Sequence, residues 1–130
     1  MPLKIKLMSL MVDNQDNALE FYTNTLGFVK KMEIEMGVFK WLTVVSTDSD
    51  YVQLSLEPNS GIDEAKAYQR ALLDKGIPAT SFEVDDIDLE YRRLSEKGVV
   101  FKDAPKLAGA VKIAIFHDTV GNLIQIHQAI

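Results

Sequence analysis

A chain of 130 residues that is 47% hydrophobic and 25% charged has the size and composition of one globular domain, able to bury a full core without disulfide or metal staples. The absence of cysteine excludes a disulfide framework, a zinc ribbon and a thiol nucleophile, and two histidines bound any imidazole chemistry. With 14 basic residues against 19 acidic ones, a net charge of −5, there is no basic face for nucleic acid, while the lack of a bilayer-length apolar run and the early charges Lys4 and Lys6 predict a cytoplasmic protein with no membrane partner.

The apolar run Ile5 to Val12 ends at the polar cluster 13–17, which predicts a strand running into a helix cap. The helix follows, with Ala18, Phe21, Tyr22 and Leu26 at helical spacing and Gly27 at its C-terminal left-handed position. Strands are expected over Phe28 to Met36, Phe39 to Ser46 and Tyr51 to Glu57, separated by breaks of hairpin length. Ala65, Tyr68 and Leu72 predict a connecting helix over about 62–75, closed by Gly76 and Pro78. From Ala79 the order restarts. A strand reaches Val84, Asp85-Asp86 caps a helix carrying Ile87, Tyr91 and Leu94, and Gly98 ends it. Strands are then expected at Val99 to Lys102, Val111 to His117 and Asn122 to His127. Residues 103–110 read as a loop, with Pro105, Lys106 and Gly109 suited either to a lid or to a solvated connector.

The repeat is the most informative feature. Val12 and Val84 lie 72 residues apart, as do Asn14 and Asp86, Trp41 and Ile113, and Gln53 and Gln125; Gly27 and Gly98 lie 71 apart. Each half, about 3–58 and 78–128, reads βαβββ. The chain is therefore expected to be a single α+β domain of two such modules in tandem.

Val12-Asp13-Asn14, Ala18 with Phe21-Tyr22, and Leu26-Gly27-Phe28 resemble the first module of the vicinal oxygen chelate superfamily, which includes glyoxalases, bleomycin-resistance proteins and extradiol dioxygenases. Phe82 to Ile87, Leu94 with Lys97-Gly98-Val99, Phe116-His117-Asp118 and Gly121 to Gln125 resemble its second module. The resemblance spans almost the whole chain. It implies βαβββ units whose sheets curl into a cleft, in a homodimer, with function in the cleft. Metal-dependent members hold a divalent ion there through four side chains, commonly histidine and glutamate, as a Lewis acid.

Set against that pattern, the two imidazole positions carry Leu7 and Ala79, and the two carboxylate positions carry Gln53 and Gln125. A neutral amide supplies one carbonyl oxygen and no charge, so the family's metal site is disfavoured and no cofactor is expected. Strand alternation places Ser9 and Met11 with Leu7, Ser55 and Glu57 with Gln53, Ser81 and Glu83 with Ala79, and His127 with Gln125. A glutamine on a strand is ordinarily solvated or bonded to a neighbour, but two at matching repeat positions suit a ligand's polar groups.

His127 beside Glu57 or Glu83 would form a proton-transfer pair, or else His127 is merely a surface residue near the C-terminus. His117 is expected to cap the turn that follows it. Trp41, with Phe39, either floors a ligand site or packs beneath a helix. Three functions compete: a metal-independent binder of a small polar or aromatic molecule, a drug-sequestering protein of the resistance type, and a metal enzyme with a displaced site at His127 with Glu57 or Glu83. Only the last requires metal for activity.

Overall fold

The computed structural model describes residues 2–130. The chain divides into two compact units, residues 1–65 and 66–130. Each contains one four-stranded mixed sheet and a helix packed on it.

In the first unit, β1 (Leu7–Val12) leads into α1 (Gln15–Glu20), which continues as a π-helical segment over Phe21–Thr25. Asn14 caps this helix: its backbone is extended, and its side-chain oxygen accepts the Asn17 N–H at 2.8 Å. Gly27 stands at φ +95°, the left-handed conformation that lets the chain leave the helix and enter the sheet. β2 (Val29–Met36), β3 (Phe39–Val45) and β4 (Gln53–Pro58) complete a sheet of order β1-β4-β3-β2, with β1 parallel to β4 and the other pairs antiparallel.

Alternation along these strands separates two faces. One buries Leu10, Val12, Leu42, Val44 and Leu56 with Ala18, Phe21 and Tyr22. Tyr22 is fully buried, edge-on to Phe21 at 5.6 Å and stacked on Phe28 at 6.4 Å. The edge strand β2 is charged on this side. Its Glu33 carboxylate accepts hydrogen bonds from Lys30 and Lys40, which hold its pKa down at about 2.

The second unit repeats the plan. After α2 (Asp63–Lys75) come β5 (Thr80–Glu83), α3 (Ile87–Glu96), β6 (Lys106–Ala108), β7 (Val111–His117) and β8 (Leu123–Ala129). The sheet order is β5-β8-β7-β6, with β5 parallel to β8. Asp86 caps α3 by accepting the Leu89 N–H at 3.1 Å. Ile87 and Leu94 of α3 and Phe116, Ile124 and Ile126 of the sheet are all buried in the core of this unit. Tyr91 packs edge-on to Phe101 at 4.8 Å. Asn14 and Asp86 thus perform the same job 72 residues apart.

Four expectations are corrected. Val99 to Lys102 is not a strand: Phe101 makes a single bridge to Phe116, flanked by hydrogen bonds from His117 N–H to Val100 and from Lys102 N–H to Ile115. The edge of β7 is shared, because its other end is taken by β6, which lies inside the stretch expected to be a loop. Residues 106–108 therefore belong to the sheet and are not a lid. All three are exposed, so hydrophobic alternation carries no sign of them, and the signal is Gly109 at φ +66° in a two-residue hairpin turn. On α2, Tyr68 is 65% exposed and Gln69 is the buried residue, its amide donating to Asn122 Oδ1 at 3.1 Å.

The fourth concerns His117, which is exposed and does not cap the turn after β7. Asp118, fully buried, holds that turn. Its Oδ1 accepts the N–H groups of Val120 and Asn122, and its Oδ2 accepts the Asn122 side-chain amide.

Candidate functional site

The face of the first sheet turned away from α1 carries the candidate residues of that module. Register partners share a face. Leu7 pairs with Gln53, Ser9 with Ser55 and Met11 with Glu57; Thr43 pairs with Ser55, and Trp41 with Ile34. At its centre two hydroxyl residues, Thr43 and Ser55, are fully buried. Both are satisfied by side chains of the same face: Thr43 Oγ1 donates to Gln53 Oε1 at 2.7 Å, and Ser55 Oγ donates to Glu57 Oε2. Gln53 thereby keeps its amide N–H groups for another partner. Leu7, 44% exposed, and the part-buried Trp41 flank the polar strip, and the Trp41 indole N–H points to Met32 Sδ at 3.3 Å.

The ladder between β3 and β4 opens beyond Thr43–Ser55. The Gln15 amide fills the gap from α1: its Oε1 accepts the Lys40 N–H at 2.9 Å, and its Nε2 donates to the carbonyls of Lys40 and Leu56, each at 2.8 Å. These bonds satisfy the backbone groups the missing strand pairs would have used. Glu57 and Trp41 lie on the two strands at this opening.

In the second module, Ser81 pairs with Gln125 and Glu83 with His127, while Ile115 and Ile113 flank them on β7. Ser81 Oγ lies 2.6 Å from His127 Nδ1 and accepts from Gln125 Nε2 at 3.1 Å. Ser81 and Glu83 are exposed, and Gln125 and His127 are half-buried. Ala79 precedes β5, its N–H donating to the Leu123 carbonyl at 2.8 Å.

The structure therefore groups Leu7, Ser9, Trp41, Gln53, Ser55 and Glu57 on one sheet face, and Ser81, Glu83, Gln125 and His127 on another. The registers of the two differ by two residues. Gln53 stands beside Leu7, but Gln125 stands beside Ser81 and not beside Ala79. The connection over 46–52 is two residues longer than that over 118–122, so the final strands align with an offset of 70 rather than 72. Thr43, Met32 and the two isoleucines of β7 are additions to the sequence-based set. Strand parity with Trp41 and its repeat partner Ile113 is the signal that marks Thr43 and Ile115.

The donor set does not fit the divalent ion that the resemblance implies. The imidazole positions are aliphatic, the Gln53 carbonyl oxygen is engaged by Thr43, and among the described residues no three His, Cys, Asp or Glu side chains converge on one point.

The comparisons with known proteins agree with this architecture. UcmS2 superposes with a TM-score of 0.83 at 30% identity, over 98% of each chain. TnmS3, described as an antibiotic binding protein from Streptomyces sp. CB03234, superposes at 0.75 with 28% identity over 99% of this chain and 98% of its own. YurT of Bacillus subtilis (strain 168) is 53% identical over 127 residues, covering 97% of this chain and 99% of that protein. The sequence pattern of the Glyoxalase/Bleomycin resistance protein/Dioxygenase superfamily matches residues 4–126. With that pattern covering nearly the whole chain and the same fold recurring in these structures, the protein belongs to the Glyoxalase/Bleomycin resistance protein/Dioxygenase superfamily.

Proposed function

We propose that the protein binds a small organic molecule, as a drug- or metabolite-sequestering member of its superfamily, and does so without the divalent metal. The observation that carries this reading is the chemistry at the positions where the resemblance expects metal ligands, Leu7, Ala79, Gln53 and Gln125, and at Ser55, which the register makes the counterpart of Gln125: Leu7 and Ala79 are apolar, Gln53 accepts the Thr43 hydroxyl, Gln125 donates to Ser81, and none of the five is a carboxylate or an imidazole. These groups offer hydrogen bonds of both senses to the polar groups of a small ligand and bury no charge of their own. The likeness to TnmS3, described as an antibiotic binding protein, supports the ligand class.

The test combines metal analysis with ligand binding. Mass-spectrometric metal content and calorimetric titration with zinc, nickel, manganese and iron(II) are expected to show no stoichiometric, submicromolar site. Thermal-shift screening of an antibiotic and metabolite panel in excess chelator is expected to find compounds that raise the unfolding midpoint, since a ligand that binds the native state stabilises it by mass action. Stoichiometric submicromolar metal binding would remove this reading. It would favour a displaced site at His127 with Glu83, its register partner in the second module.

A homodimer accompanies the proposal. Ile34, Met36, Val38 and Phe39 at the β2–β3 hairpin are all more than 40% exposed, an apolar group that a second copy can cover. Light scattering at micromolar concentration is expected to give twice the 14.6 kDa chain mass. A monomer mass would refute it.

A further inference from the structure

We propose that Glu57 is an anchor for a protonated amine, so that the ligand of the first module's sheet face carries a basic nitrogen; this rests on the small-molecule reading and adds a chemical class to it. Glu57 is half-buried on β4, and its one partner among the described residues is the hydroxyl of Ser55, which is itself fully buried. No cation pairs with it among the described residues. The strand lysines of this module are engaged elsewhere: Lys40 with Asp16 and Glu33, Lys30 with Glu33, and Lys31 with Asp50.

A partly desolvated carboxylate with a single neutral donor keeps most of its lone pairs free, and a charge-assisted hydrogen bond from an ammonium is the strong way to satisfy them. The surroundings fit such a group. The β3–β4 ladder opens beside Glu57, with the Gln15 amide sealing the backbone behind it, so the carboxylate lies at a break in the sheet. Trp41, on the facing strand, offers an aromatic surface to the cation or to the body that bears it. The Thr43 hydroxyl occupies the Gln53 oxygen, which leaves the Gln53 amide N–H groups for a ligand acceptor. The face thus pairs an anionic acceptor, Glu57, with a neutral donor, the Gln53 amide, four residues away on the same side of one strand.

The experiment compares matched amines and their uncharged counterparts: tryptamine with N-acetyltryptamine, phenethylamine with N-acetylphenethylamine, and 9-aminoacridine with acridine. Dissociation constants are measured by ligand-observed NMR at pH 7 on the wild type, Glu57→Gln and Gln53→Leu. Glu57→Gln keeps the shape and can still accept from Ser55, and a thermal midpoint within a few degrees of wild type verifies that it folds. The expected result is that the amines bind the wild type about tenfold more tightly than their counterparts, that Glu57→Gln removes this preference, and that it leaves the neutral compounds unchanged. Equal affinity within each pair, or a preference that survives Glu57→Gln, overturns the assignment of Glu57 while small-molecule binding stands. Absence of binding by every amine and every neutral compound overturns the amine assignment, and the chelator screen then decides the broader reading separately.

Discussion

Replacing Asp118 by alanine is expected to destabilise the protein by about 3 kcal/mol or more, since a buried carboxylate that satisfies several donors leaves each of them unpaired when it is removed. Its two oxygens accept from Val120 N–H at 3.0 Å, Asn122 N–H at 2.9 Å and Asn122 Nδ2 at 2.8 Å, and Asp118 and Asn122 are both buried. The turn has no cheap alternative conformation. Thr119 is held at φ +66°, a left-handed geometry that costs a β-branched residue, and the Asp118 bonds are what compensate it. The loss reaches further than the turn, because Asn122 also receives the Gln69 amide of α2. Asp118→Asn is expected to be intermediate: it keeps one acceptor but sets an amide donor against that of Asn122. Differential scanning calorimetry checks both, with a midpoint drop of about 10 °C for alanine at this chain length. A change smaller than about 1 kcal/mol for Asp118→Ala would show that backbone geometry alone holds the turn.

Phe116→Ala is expected to cost about 3–5 kcal/mol, the range for truncating a fully buried phenylalanine and leaving a cavity. Phe116 is wholly excluded from solvent, sits at a T-shaped 5.3 Å from Phe101 and pairs across the ladder with Ile124. Its neighbour Ile115 points to the opposite face, beside Gln125. The substitution therefore weakens the sheet from below while removing nothing from the candidate site above. Urea denaturation is expected to show a lower midpoint with an unchanged slope, and Phe116→Leu a much smaller loss. Ligand affinity measured well below the transition is expected to stay near wild type, which separates this residue from Glu57 and Gln53.

How the site was assembled shows which signals are local. Alternation joins Ser9 to Leu7 and Ser55 to Gln53, the resemblance implies that the two pairs share a site, and the register of β1 with β4 brings them side by side. A constant offset of 72 would carry the Leu7–Gln53 pairing over to Ala79 and Gln125, whereas the structure pairs Ser81 with Gln125. A strand's period of two residues reports which face a side chain takes, but it is silent about a slip of two along the neighbouring strand, because such a slip preserves the face. The slip follows from loop lengths, through the shorter connection at 118–122. The partners of individual polar atoms were equally hidden. Nothing in the order of residues joins Gln15 to Lys40 and Leu56, or Ser81 to His127, across separations of 25, 41 and 46 positions.

By itself the sequence determined the α+β class, the order of the major elements, the caps at Asn14 and Asp86, the glycines that end the helices and the lack of imidazoles at Leu7 and Ala79. All of these are properties of a residue and its near neighbours: a side-chain oxygen that reaches an N–H three residues on, a missing Cβ that permits positive φ, a donor that is present or absent. Tertiary structure decided the edge strand β6, the single bridge at Phe101, the two-residue register difference and the burial of Thr43, Ser55 and Asp118. These depend on which distant segment supplies the second half of each hydrogen bond. That choice is made by the global competition to cover strand edges and pair buried polar groups, so apart from the Gly109 turn between β6 and β7 it leaves no signature within a short window of the chain.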